Sequence, residues 1–125
     1  MAEMFILLCE EARQEANNVI SLMGVFPPSG IKAVLPLVMP KFAIYAVAPT
    51  SVVEGQGDIK LRITGPKRQT IFESSPLNMG KDRGTAVTVV MISPVVFDSH
   101  GEYTITIFGQ RGLNAQTMLL VSPPS

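Results

Sequence analysis

Asp58-Ile59-Lys60-Leu61-Arg62-Ile63-Thr64 is the stretch that decides the fold. Ile59, Leu61 and Ile63 alternate with Asp58, Lys60 and Arg62, the two-residue period of a strand with one dry and one wet face. Gly65-Pro66-Lys67-Arg68 then turns the chain into a second β-prone run, Thr70–Ser74. The same style extends in both directions. Upstream lie Phe5–Glu10, Val19–Phe26, Ile31–Val38 and Phe42–Ala48, punctuated by Pro27-Pro28-Ser29-Gly30, Pro36 and Pro49. Downstream, Thr85–Ile92 is nearly all β-branched and reads as a central strand buried on both faces. Phe97–Gly101 is a corner, Tyr103–Phe108 alternates, Gly109-Gln110-Arg111-Gly112 is a hairpin loop, and Leu113–Val121 is the last strand. About eight strands at this spacing predict one all-β domain over residues 1–125, an antiparallel β-sandwich. Cys9–Asn17 competes, because it holds good helix formers and Glu11 and Glu15 flank Arg13; one short helix is expected there at most.

Composition narrows the function classes. Lys plus Arg number 10 against 10 Asp plus Glu in 125 residues, so the formal net charge is zero. With no positive excess to displace counterions from phosphates, nucleic acid is not an expected partner. Hydrophobic residues reach 46% and charged residues only 16%, which excludes a disordered chain. Mean hydropathy is +0.31, yet no stretch offers the ~20 continuous apolar residues of a membrane helix, so no membrane insertion is expected. Glu3 before Phe5-Ile6-Leu7-Leu8, then Glu10-Glu11, lacks the basic and apolar regions of an export signal. A single free thiol, Cys9, suits a reducing compartment, and the expected location is the cytoplasm, or alternatively a virion.

Two resemblances follow from particular residues. Phe97-Asp98-Ser99-His100-Gly101-Glu102-Tyr103-Thr104-Ile105 resembles the corner of immunoglobulin-like sandwiches, where a Tyr hydroxyl bonds backbone upstream and pins the turn. The match is partial: Asp98 lies one residue further from the Tyr than usual, Ile105 stands where antibody domains have Cys, and the chain has no Trp. The resemblance implies an immunoglobulin-like topology and no activity. Phe5-Ile6-Leu7-Leu8-Cys9-Glu10-Glu11-Ala12-Arg13-Gln14-Glu15 followed by Ser21-Leu22-Met23-Gly24-Val25-Phe26 is similar to the start of a family of small bacterial proteins of unknown function. That similarity implies a β-sandwich and a bacterial or phage origin.

Side chains that carry chemistry are few and scattered. His100 is the sole histidine, and Asp98, Ser99 and His100 are too close in one turn to point at each other as a nucleophile triad. Metal binding would need further His or Cys ligands that the chain lacks. Cys9 ends an apolar run beside Glu10 and Glu11, which by repulsion would raise its pKa, so a buried structural thiol is expected. Glu10, Glu11 and Glu15 with Arg13 read as a solvated patch. Lys67-Arg68 and Lys81 with Arg83 are basic turns, and no phosphate-cradling glycine motif is present. Met23, Met39, Met79 and Met118 fall near strand ends, where Met serves either core or adaptable contact surface. No catalytic, cofactor-binding or metal-ligating residue is assigned, and no cofactor is expected. The favoured function is a non-enzymatic structural or protein–protein interaction module, a homo-oligomer or subunit of a larger assembly and a candidate phage structural component. The alternative is a small-ligand or carbohydrate-binding sandwich. The uncharged Leu113–Val121 strand, and Leu37-Val38-Met39 guarded only by prolines, are the edges expected to meet partners.

Overall fold

The computed structural model describes residues 4–124. Glu3, and Ser125 of the terminal Ser122–Ser125 stretch, lie outside the described residues. In chain order the elements are β1 (Phe5–Gln14), β2 (Ile20–Val25), β3 (Ile31–Lys32), β4 (Leu37–Met39), β5 (Phe42–Pro49) and the one-turn helix α1 (Thr50–Val53). There follow β6 (Lys60–Thr64), β7 (Thr70–Glu73), β8 (Gly80–Asp82), β9 (Thr85–Ile92), β10 (Val95–Phe97), β11 (Gly101–Phe108) and β12 (Asn114–Ser122). They form an all-β sandwich. One layer has the order β2-β1-β5-β9-β8, the other β3-β12-β11-β6-β7, and β10 with β4 makes a two-stranded ribbon. Every pairing is antiparallel except β3 with β12, where Ile31 lies opposite Val121.

Alternation builds the core. Ile59, Leu61 and Ile63 are 5%, 0% and 0% exposed, and they meet Tyr103, Ile105 and Ile107 of β11 on the inner face of one layer. The other layer contributes Leu8, Phe42, Ile44 and Ala46. A run of rings ties the layers to the ribbon. Phe26 stacks on Phe42 at 5.7 Å, Phe42 meets the edge of Phe97 at 5.9 Å, and Phe97 meets Tyr103 at 4.8 Å. Edge-to-face pairs of this kind add about 0.5–1.5 kcal/mol beyond the area they bury.

The structure corrects several expectations. Twelve strands stand among the described residues rather than about eight, because short segments that carry no periodic signal still pair. Residues 80–82, read as part of a basic turn, are β8, joined to β9 by Arg83 and Gly84 at φ +50° and +80°. That two-residue turn matches the twist of a hairpin. Ile31–Val38 is split by Pro36 into β3 and β4. The 9–17 segment is not a helix: β1 runs through Gln14, and a single 3-10 turn, Ala16–Asn18, follows. Pairing of Glu11, Ala12, Arg13 and Gln14 with Met23, Leu22, Ser21 and Ile20 satisfies the backbone and overrides local helix propensity. The helix present is α1, after Pro49. β9 is not a fully central strand either, since β8 covers only its first three residues.

Candidate interaction surface

β5 reads Phe-Ala-Ile-Tyr-Ala-Val-Ala-Pro and has no charged or amide side chain at any position, so one of its faces is dry without belonging to the core. Strand register extends that dry face sideways. Val25, Cys9, Ala43 and Met91 form one row across four strands. Leu7, Tyr45 and Val89 form the next, then Phe5, Val47 and Val87. None of these side chains joins the core between the layers. They cover the outer face, which in an ordinary sandwich alternates to polar residues.

The opposite layer behaves as that rule requires. Its outer face places Thr104 between Met118 and Thr64, and Thr106 between Gln116 and Arg62. Arg62 Nε donates to Glu73 Oε1 at 2.8 Å, and its guanidinium lies 4.5 Å from the Phe108 ring centre. The chain therefore has one wet outer face and one apolar outer face.

The apolar face is partly roofed by its own chain. Gln14 and Ile20, from the β1–β2 hairpin, line one cleft of about 770 Å³ together with Thr85, Val87 and Val89. In a flat sheet the register would hold Gln14 and Val87 roughly 30 Å apart at about 3.3 Å per residue. The hairpin therefore bends back toward β9. Cys9 and Ala43, at the root of that bend, are 0% exposed, whereas Phe5, Val25 and Met91 at the margins are 56%, 47% and 44% exposed. At the end of the face Lys41 Nζ donates to Glu11 Oε1 at 2.8 Å, with Arg13 at 3.9 Å from the same carboxylate. Lys41 holds the Glu11 carboxyl below its ordinary range by that bond and by its charge.

The remaining chemical candidates serve local structure. His100 Nε2 lies 3.0 Å from the Ala33 carbonyl oxygen, and Ser99 Oγ lies 3.3 Å from the Tyr103 hydroxyl. Cys9 Sγ donates to the Ala43 carbonyl at 3.7 Å. Its pKa is raised as expected but by burial, not by repulsion from Glu10 and Glu11. Lys67 and Arg68 turn a hairpin in one layer; in the other, Arg83 sits in the turn and Lys81 in the strand β8 that leads into it. Met39 and Met79 pack on the core, whereas Met118 is 62% exposed. Gln56 accepts from the Arg111 and Leu113 amides and so shapes the β11–β12 loop. Among the described residues no cluster of three His, Cys, Asp or Glu side chains could hold a metal ion. No described helix is long and apolar enough to cross a membrane.

A family model matches residues 4–122. The chain belongs to DUF6941, a family of unknown function. No curated protein and no solved structure matches this DUF6941 chain. Its site must therefore be read from its own residues. The rows through Tyr45 and Met91, and the Lys41 partner of Glu11, escaped the sequence reading. The signal for the first was present in the lack of charged or amide side chains along β5, since a strand wetted on one face would alternate.

Proposed function

We propose that this DUF6941 chain is a non-enzymatic structural and protein–protein interaction module, a subunit of an assembly in the cytoplasm or in a virion. The observation that carries the reading is the apolar outer face of β1, β5 and β9, whose margins expose Phe5, Val25 and Met91. Monomeric proteins rarely leave contiguous apolar patches beyond a few hundred Å² unless something docks there. Uncharged strand edges add to it: residues 88–92 of β9 and 114–120 of β12 each lack a strand on one side among the described residues. The Tyr103 corner supports an immunoglobulin-like reading of the sandwich, and the similarity of the opening strands supports a bacterial or phage origin.

A carbohydrate-binding sandwich has less support. Sugar sites use platforms of several open aromatic faces, whereas among the described residues Phe5 is the one exposed aromatic and the half-buried Phe108 already carries Arg62 over its ring.

Light scattering across a dilution series tests the reading. The wild-type chain is expected above its monomer mass at high concentration. Phe5→Glu with Val25→Glu is expected to lower that mass while leaving the circular-dichroism spectrum intact. A wild-type chain that stays a soluble monomer at every concentration overturns it.

A further inference from the structure

We infer that the free edge of β9 is where a second copy of this chain docks, by antiparallel strand pairing about a two-fold axis at Val90. The inference rests on the assembly reading above and names its partner. β9 pairs with β5 along its whole length, but on its other side β8 reaches only Thr85, Ala86 and Val87. From residue 88 to residue 92 no described strand takes that edge. Beyond Ile92, Ser93 and Pro94 lead the chain away to β10, which pairs with β4. The opening is a notch with Pro94 at one end and, at the other, β8 and the preceding Asn78, whose carbonyl accepts from Thr88 Oγ1 at 3.3 Å and reaches the side chain rather than the strand edge.

Its sequence is Thr-Val-Val-Met-Ile, with no charge, Pro or Gly to discourage pairing. The other uncharged edge, on β12, is already partly closed: β3 pairs with its end, and Gly30 packs against the Leu120 carbonyl.

Register and face together select the occupant. Pairing within one continuous sheet keeps like faces together, so opposed residues of two identical strands differ by an even number. Centring the pair on Val90 sets Thr88 opposite Ile92 and Val89 opposite Met91, filling the notch from end to end. A slip to the next allowed register leaves part of it empty. On the inner face this joins β-branched side chains, and on the outer face it continues the apolar row. The incoming strand stops short of β8, because its own Ser93 and Pro94 turn away at that point.

Space exists on both sides of the edge. The cleft under the hairpin, about 770 Å³, opens on the outer side. A groove of about 490 Å³ between residues 72–78 and the edge of β9 opens on the inner side. Stable interfaces bury roughly 800 Å² per partner, more than so short a strand pair covers, so the proposed dimer also requires contact along the walls of these openings.

Register-specific cross-linking tests the inference. In a Cys9→Ala background, Val89→Cys and Met91→Cys are made separately, and each alone is treated with diamide as thiol oxidant. Neither is expected to dimerise, because 89 faces 91 of the second copy and not itself. An equimolar mixture of the two is expected to give a disulfide-linked dimer as the main product on a non-reducing gel. In the wild-type chain, exchange of the alternate amides of residues 88–92 that point away from β5 is expected to slow about tenfold or more between low and high concentration, while those bonded to β5 serve as the internal control. A mixture that gives no dimer, singles that cross-link as well as the mixture, or exchange independent of concentration overturns the inference. If light scattering still reports an oligomer, the assembly reading survives and only the β9 edge is excluded.

Discussion

The Tyr103 hydroxyl donates to the Ser99 carbonyl at 2.7 Å and accepts from the Ser99 amide at 3.2 Å, so one phenol closes both backbone groups of a residue four positions upstream. The ring is 0% exposed and packs edge-on against Phe97, which places the corner between β10 and β11 on the core itself.

Tyr103→Phe is accordingly expected to destabilise the fold by about 1–3 kcal/mol, since it strands the groups of Ser99 as well as losing a bond. A denaturant melt reads this as a lower midpoint with an unchanged slope. An unmoved midpoint would show that solvent replaces the phenol freely.

β6 offers an internal control. Leu61 is 0% exposed on the inner face and Lys60 points outward beside Phe108, its partner in register. Leu61→Ala should cost roughly 2–5 kcal/mol and Lys60→Ala less than about 0.5 kcal/mol. Thermal melts of the two variants check the ranking, and a reversed order would contradict the register.

How much of this was readable in the sequence follows from where the determining forces lie. Strand alternation is local, so Ile59, Leu61 and Ile63 announced their burial, and the Tyr103 corner was readable from a few adjacent residues. The strand extension through Gln14 was not, because it depends on β2, and a nine-residue segment rich in Glu, Ala and Arg favours helix until a partner strand claims its amides. Likewise Glu11 looked like part of a patch with Arg13, whereas its closest cation is Lys41, thirty residues away in sequence. β8 and β10, at three residues each, are too short to show a period. The apolar outer face required register between four strands, which no single segment encodes.

The Glu11–Lys41 pair fixes a pH dependence. A carboxyl whose pKa is lowered by folding adds stability above its unfolded value, near 4.5, and that contribution disappears as pH falls through the folded value. Lys41→Ala should move the Glu11 titration upward, measured by carbon-detected NMR of the side-chain carboxyl. It should also flatten the acid limb of the stability curve. A titration identical in wild type and variant would rule out Lys41 as the cause.

Cys9 gives the mirror case. Burial raises its pKa, so the folded chain keeps a proton that the unfolded chain releases, and stability should decline as pH rises above the unfolded value, near 9.0. Cys9→Ala is expected to remove that alkaline decline. A disulfide reagent should label the native chain slowly and the denatured chain at once. Rapid native labelling would mean that the β1–β2 hairpin lifts readily from β5.

The order in which the strands are spelled out along the chain has a biosynthetic consequence. β11 lies at the centre of its layer, between β6 and β12, yet both β11 and β12 come after every strand of the other layer. During translation, Phe42, Ile44 and Leu61 leave the ribosome before the residues that cover them exist. A half-built sandwich of this kind presents a sticky slab to its surroundings until the final hairpin arrives, and sequence-distant pairings such as Ile31 with Val121 close slowly. Expression yield should therefore depend on holdase chaperones and on the pace of elongation, more than the stability of the finished fold would suggest.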